Sequence, residues 1–109
     1  MKNETLTWPM PPIALEPHEW GELLAILRTH LAGRRVCAFG SRAAGLHVKR
    51  FSDLDLAIEG PELTLSESAL LAEAFDESRL PFKVDVVELS ALTPEFRACI
   101  EPGLVLIQG

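Results

Sequence analysis

Ser52-Asp53-Leu54-Asp55-Leu56-Ala57-Ile58 is the stretch that decides how this chain is read. Side chains alternate along a strand with a period of two, so Leu54, Leu56 and Ile58 face a core while Asp53 and Asp55 share the opposite face. The pattern predicts a strand over residues 53–58, closed by Gly60-Pro61. Two carboxylates side by side on an otherwise apolar strand repel each other and cost stability unless something positive compensates. A bound cation meets that need, and so do Arg42, Lys49 or Arg50. The bland alternative is a solvent-facing strand, which the poor strand propensity of Asp disfavours.

A third acid follows in Lys83-Val84-Asp85-Val86-Val87, inside an apolar run that predicts another strand over residues 82–89. A charge between Val84 and Val86 in a buried strand needs a partner. If the two strands are neighbours, Asp85 reaches the point shared by Asp53 and Asp55, and three hard oxygen ligands suit Mg²⁺. Upstream, Arg35-Val36-Cys37-Ala38-Phe39 reads as a short strand bracketed by Gly33 and Gly40. It delivers Gly40-Ser41 at its end, where a flexible turn can aim backbone N–H groups and a hydroxyl at a phosphate. The glycine spacing is neither that of a P-loop nor that of a dinucleotide fingerprint. A divalent-ion site beside a phosphate turn points to nucleotidyl transfer. In that chemistry two metals polarise an α-phosphate and activate an attacking hydroxyl, with Asp85 as general base or ligand of the catalytic metal.

Around these strands the chain alternates with helices. Pro17 suits a first helical position, and Trp20, Leu23, Leu24, Leu27 and Leu31 recur at helical spacing up to Gly33. Arg42-Ala43-Ala44 opens a short helix that Gly45 ends. A helix over residues 66–78 carries Leu70, Leu71, Ala74 and Phe75 on one stripe, read as ordinary core packing. Thr93-Pro94 supplies an N-cap and first-turn proline for a helix through Ile100, and residues 104–107 form a last strand. The expected fold is α/β, a small mixed sheet flanked by helices. Residues 1–15, with Pro9, Pro11 and Pro12, read as an extended, loosely packed lead-in, and residues 16–109 as a single domain.

With 109 residues, an apolar fraction of 48% and a charged fraction of 24%, the chain has the size and make-up of one soluble globular domain. A net charge of -6 argues against direct binding of a nucleic acid, whose affinity comes largely from Lys and Arg. The start lacks an apolar signal segment and no stretch reaches the length of a membrane span, which makes a cytoplasmic location the expectation. Cys37 and Cys99 have no partners at zinc spacing and are expected to be buried, reduced thiols. His18, His30 and His47 do not cluster, and Trp8 and Trp20 read as core or interface residues.

Taken together, Phe39-Gly40-Ser41-Arg42-Ala43-Ala44-Gly45, Ser52-Asp53-Leu54-Asp55-Leu56-Ala57-Ile58 and Val84-Asp85-Val86-Val87 resemble the minimal nucleotidyltransferase (MNT) family of the DNA polymerase β superfamily. The likeness extends through Leu80-Pro81-Phe82-Lys83 and Phe96-Arg97-Ala98-Cys99-Ile100, and so covers nearly the whole domain. It implies the nucleotidyltransferase fold, with Gly40, Ser41 and Arg42 binding nucleotide and Asp53, Asp55 and Asp85 forming the catalytic, metal-holding set. Arg42 is left with a second role, bracing the loop through the strand carboxylates. The cofactors implied are two Mg²⁺ ions, with ATP as substrate.

The same resemblance implies a partner, a helical HEPN-type or nucleotide-substrate-binding protein in a hetero-oligomer. In the antitoxin members of the family, AMP passes from ATP to a hydroxyl of the partner toxin. The competing reading is a catalytically silent antitoxin or scaffold that neutralises its partner by binding. Because no separate domain to grip a base or acceptor is expected after residue 109, the partner would supply that surface.

Overall fold

The computed structural model describes residues 12–109, so the readings placed on residues 1–11, Trp8 included, lie outside the described residues. Helix α1 (Pro17–His30) begins where Pro17 predicts, and the Glu19 carboxylate accepts the Glu16 N–H at 2.9 Å, satisfying one of the donors a helix start leaves open. Strand β1 (Val36–Phe39) leads directly into the short helix α2 (Gly40–Ala44), which Gly45 ends in the left-handed conformation at φ 71°. Strand β2 (Leu54–Ile58), helix α3 (Leu65–Asp76), strand β3 (Val84–Glu88), helix α4 (Pro94–Ile100) and strand β4 (Val105–Gln108) follow. Two single 3₁₀ turns, at Leu89–Ala91 and Glu101–Gly103, bracket α4 and were not expected from the sequence. Thr93 caps α4 as predicted, its hydroxyl accepting the Phe96 N–H at 3.2 Å.

The sheet has four strands in the order β3-β2-β1-β4. β1 runs antiparallel to both β2 and β4, while β2 and β3, joined through α3, are parallel. The fold is therefore the expected mixed α/β arrangement. Its two faces separate by strand parity. Val36, Ala38, Leu54, Leu56 and Ile58 pack with Leu23, Leu24 and Leu27 of α1 in the main core. Burying each such leucine contributes about 1.5–3 kcal/mol, so this layer carries most of the stability. On the other face Ala57, Leu89 and Ile100 form a smaller cluster, flanked by Phe39 and Val87.

Three local expectations are corrected. Ile13 and Leu15 are buried in the main core, so this end of the lead-in packs tightly instead of loosely. On α3 only Leu71 is buried, and Leu70 is 53% exposed, so the stripe of this helix is narrower than its leucine content implied. Cys37 is buried, and burial raises its thiol pKa despite the nearby Arg35, which keeps it protonated; Cys99, on the outer side of α4, is exposed. No helix among the described residues is long and apolar enough to cross a membrane.

Candidate active site

The strand pairings bring the motif residues together. Because β1 and β2 are antiparallel, the end of β1 meets the start of β2, and Phe39 pairs with Asp55. Because β2 and β3 are parallel, their starts lie side by side, and Asp55 pairs with Asp85. Both aspartates share strand parity with Ala57 and Val87, which places them on the face of the smaller cluster. Asp53 precedes the strand by one residue and is exposed, while Asp55 is half-buried.

Electrostatics registers this convergence. Burial raises the Asp55 carboxyl above its ordinary pKa, and the charges of Asp85 and then Asp53 push it the same way. No ion pair among the described residues joins Arg42, Lys49 or Arg50 to the aspartate trio. Among the described residues the ion pair that touches it comes from Lys83, whose Nζ lies 3.4 Å from Asp85 Oδ1, both side chains being largely solvated. Lys83 stands one residue before β3 and two before Asp85, which sets the two side chains on the same side of the chain.

Gly40 sits against this cluster with φ 80°, a conformation that favours glycine, and a Cβ added there would overlap Asp55 Oδ2. The backbone angle favours glycine, and any larger residue would also displace the Asp55 carboxylate. Gly40 and Ser41 also line a hollow of about 630 Å³ that continues past Ala43 and Leu46 to Leu104 and Val105. Asp85 lines a different cleft of about 390 Å³, between α3 and β3. The hollow on the Gly40-Ser41 side and the cleft lined by Asp85 are thus separate concavities.

Arg42 does not point into this cluster. It is 4% exposed, and its guanidinium donates to the carbonyls of Ser52 at 2.8 Å, Ala14 at 2.6 Å, Lys49 at 3.2 Å and Arg50 at 2.9 Å. It also lies 4.0 Å from the centre of the Phe82 ring. The bracing role foreseen for it is what the geometry gives, through backbone carbonyls and not through the strand carboxylates. Phe82 was missed as its partner because nothing in a lone aromatic before a strand signals a cation.

Among the described residues no group of three or more His, Cys, Asp or Glu side chains is already drawn together as a metal-holding cluster. The donor chemistry nevertheless fits a divalent cation: hard carboxylate oxygens, with burial first and then the Asp85 and Asp53 charges raising the proton affinity of Asp55, a cost that positive charge would relieve.

Two comparisons with known proteins identify the family. Residues 21–104 match the family model described as nucleotidyltransferase domain, spanning the interval from α1 to the residue before β4. The chain is also similar to a protein of Haemophilus influenzae described as "Probable protein adenylyltransferase MntA", with 42% identity over 92 residues that cover 80% of each chain. The protein is an enzyme, and it belongs to the nucleotidyltransferase domain family, on its minimal, MntA-like branch of the DNA polymerase β superfamily.

Proposed function

We propose that the protein transfers AMP from ATP to a hydroxyl of a partner protein, with Gly40 and Ser41 holding the phosphates and Asp53, Asp55 and Asp85 forming the reaction centre. The observation that carries the reading is the register of Asp55 opposite Asp85 at the edge of the Gly40 turn. Two Mg²⁺ ions held by Asp53 and Asp55, with Asp85 completing one site, would supply charge neutralisation at the α-phosphate and acidify the attacking hydroxyl. The acceptor oxygen bonds to the α-phosphorus, the bond from that phosphorus to the oxygen bridging the β-phosphate breaks, and pyrophosphate leaves. The hydroxyl proton passes to the Asp85 carboxylate, whose side chain is 41% exposed. Lys83 gives up its hold on Asp85 for this to happen.

Similarity to a protein described as an adenylyltransferase supports AMP as the group transferred. The partner in this reading is a helical HEPN-type or nucleotide-substrate-binding protein that forms a cytoplasmic hetero-oligomer with the enzyme, in the manner of a toxin and its antitoxin. A net charge of -6 favours a protein acceptor over a nucleic acid.

The test incubates the full chain with Mg²⁺, α-labelled ATP and the product of the neighbouring gene. Label should appear on that protein with wild type and fall to background with Asp53→Asn. Equal labelling by the two would end the proposal.

A further inference from the structure

A buried cation without a carboxylate partner is costly, and replacing such a group with apolar atoms is often neutral or stabilising. Arg42 is such a cation: its charge is met by four carbonyl dipoles and the Phe82 ring, and no ion pair among the described residues includes it. Nor is it a counter-ion of the reaction centre: its guanidinium donates to carbonyls, and the ion pair made to Asp85 among the described residues is that of Lys83. What sets Arg42 apart is where its contacts lie.

Ser52, whose carbonyl takes the Nε–H, immediately precedes Asp53, and Lys49 and Arg50, which share the Nη2 donors, begin the same turn. That turn is closed from within, the Ser52 hydroxyl accepting the Lys49 N–H at 2.8 Å. Phe82 lies three residues before Asp85, at the entry to β3. Arg42 itself stands one residue after Ser41, in the helix that begins at Gly40. On its remaining side it is locked to the lead-in by a reciprocal pair, Arg42 Nη1–H to the Ala14 carbonyl and the Ala14 N–H to the Arg42 carbonyl at 2.9 Å. One planar group with donors fixed in a fork thus touches the segments that lead into Asp53 and Asp85, and its own backbone belongs to the third, the Gly40-Ser41 turn.

We propose that Arg42 is a positioning residue of the transfer reaction, its guanidinium holding the Asp53 turn and the entry to the Asp85 strand at a fixed distance from the Gly40-Ser41 turn. This rests on the function proposed above and goes beyond it. A lysine keeps the charge, but its compact ammonium on a flexible stem lacks the planar fork that spans these spread carbonyls and stacks on the Phe82 ring.

The experiment compares wild type, Arg42→Lys and Phe82→Leu, with kcat expressed per folded molecule from parallel melting curves, and with hydrogen exchange measured over residues 46–53 in the metal-free protein. Arg42→Lys should lower kcat by about a hundredfold, the scale expected when reacting groups shift by an ångström, while KM for ATP moves less than about threefold. Phe82→Leu should lower kcat by about tenfold or less, and the double variant should fall short of the product of the single effects, because the two residues act through one contact. Exchange over residues 46–53 should quicken in Arg42→Lys, with the amides of α1 unchanged. A wild-type kcat per folded molecule with only the melting temperature lowered would reduce Arg42 to a structural residue. A loss confined to KM for ATP would make it a phosphate contact, and unchanged loop exchange would remove the brace itself; each result overturns the proposal. Should wild type transfer no AMP at all, the functional reading and the catalytic part of this one fall together, and the exchange measurement still decides whether the brace exists.

Discussion

Asp55 of β2 stands opposite Asp85 of β3 in a parallel register, so two acids occupy neighbouring strands on one face. Burial together with Asp85 and Asp53 raises the Asp55 pKa in the folded state. A carboxyl whose folded pKa lies above its unfolded value binds protons more tightly when folded, so its ionisation opposes folding at neutral pH. That penalty disappears as pH falls through the folded pKa and is gone below the unfolded one. Asp55→Asn should therefore melt higher than wild type at pH 7 in the absence of divalent ions, with the advantage shrinking as the pH is lowered towards the ordinary carboxylate value. Melting curves of the two proteins across that range check the sign. An Asp55→Asn protein that melts lower than wild type at pH 7 would contradict it.

The same repulsion makes the fold responsive to cations. A ligand that binds the folded state alone stabilises it by mass action, by about 2.7 kcal/mol at a hundred times its dissociation constant. Mg²⁺ with a non-hydrolysable ATP analogue should raise the melting temperature of wild type by several degrees and leave that of Asp55→Asn nearly unchanged. Loss of transfer in Asp55→Asn should be about 10²–10³-fold or greater, the scale found when one preorganised charge-stabilising group is removed.

Gly40 offers a sharper steric test. Alanine there meets both a positive φ and the Asp55 carboxylate. The left-handed conformation alone costs a residue with a Cβ about 1–2 kcal/mol, and relief of the overlap must come from movement of Asp55, the group the reaction uses. Gly40→Ala should lower stability by about 2 kcal/mol and lose most transfer activity. Gly21→Ala is the control: an added methyl there meets nothing within 4 Å and lies within α1, so stability should hold or rise slightly.

How much of this was legible in the sequence follows from the range of each interaction. Alternation in Leu54-Asp55-Leu56 and Val84-Asp85-Val86 is local, and it placed both acids on strands. The families of residues around Gly40, Asp53 and Asp85 were distinctive enough to identify the fold. Arg42 was harder, because its partners are the carbonyls of Ala14, Lys49, Arg50 and Ser52, and a carbonyl leaves no mark in residue identity. The exposure of Cys99 and Leu70 was missed for a related reason: an apolar side chain on a helix is buried only where another layer covers it, and only part of α3 and α4 is covered.

Lys83 tests whether the site is held closed by its own chain. Its ammonium lies 3.4 Å from Asp85 Oδ1, where a metal ion or an acceptor hydroxyl would compete with it. Both partners are solvated, with side chains 73% and 41% exposed, so the pair adds little to stability, and Lys83→Met should shift it by about 0.5 kcal/mol or less. The consequence for binding is larger than that for folding. Removing the ammonium leaves the three aspartates with no cation paired to them among the described residues, which strengthens their pull on a divalent ion. Lys83→Met should then reach half-maximal Mg²⁺-dependent stabilisation at a concentration several-fold lower than wild type, about threefold if the lost contact is worth that same half kilocalorie or slightly more. A Mg²⁺ titration followed by melting temperature reads this directly. An unchanged or higher midpoint would mean that Lys83 does not compete at Asp85, and that the trio binds its cation through Asp53 and Asp55 alone.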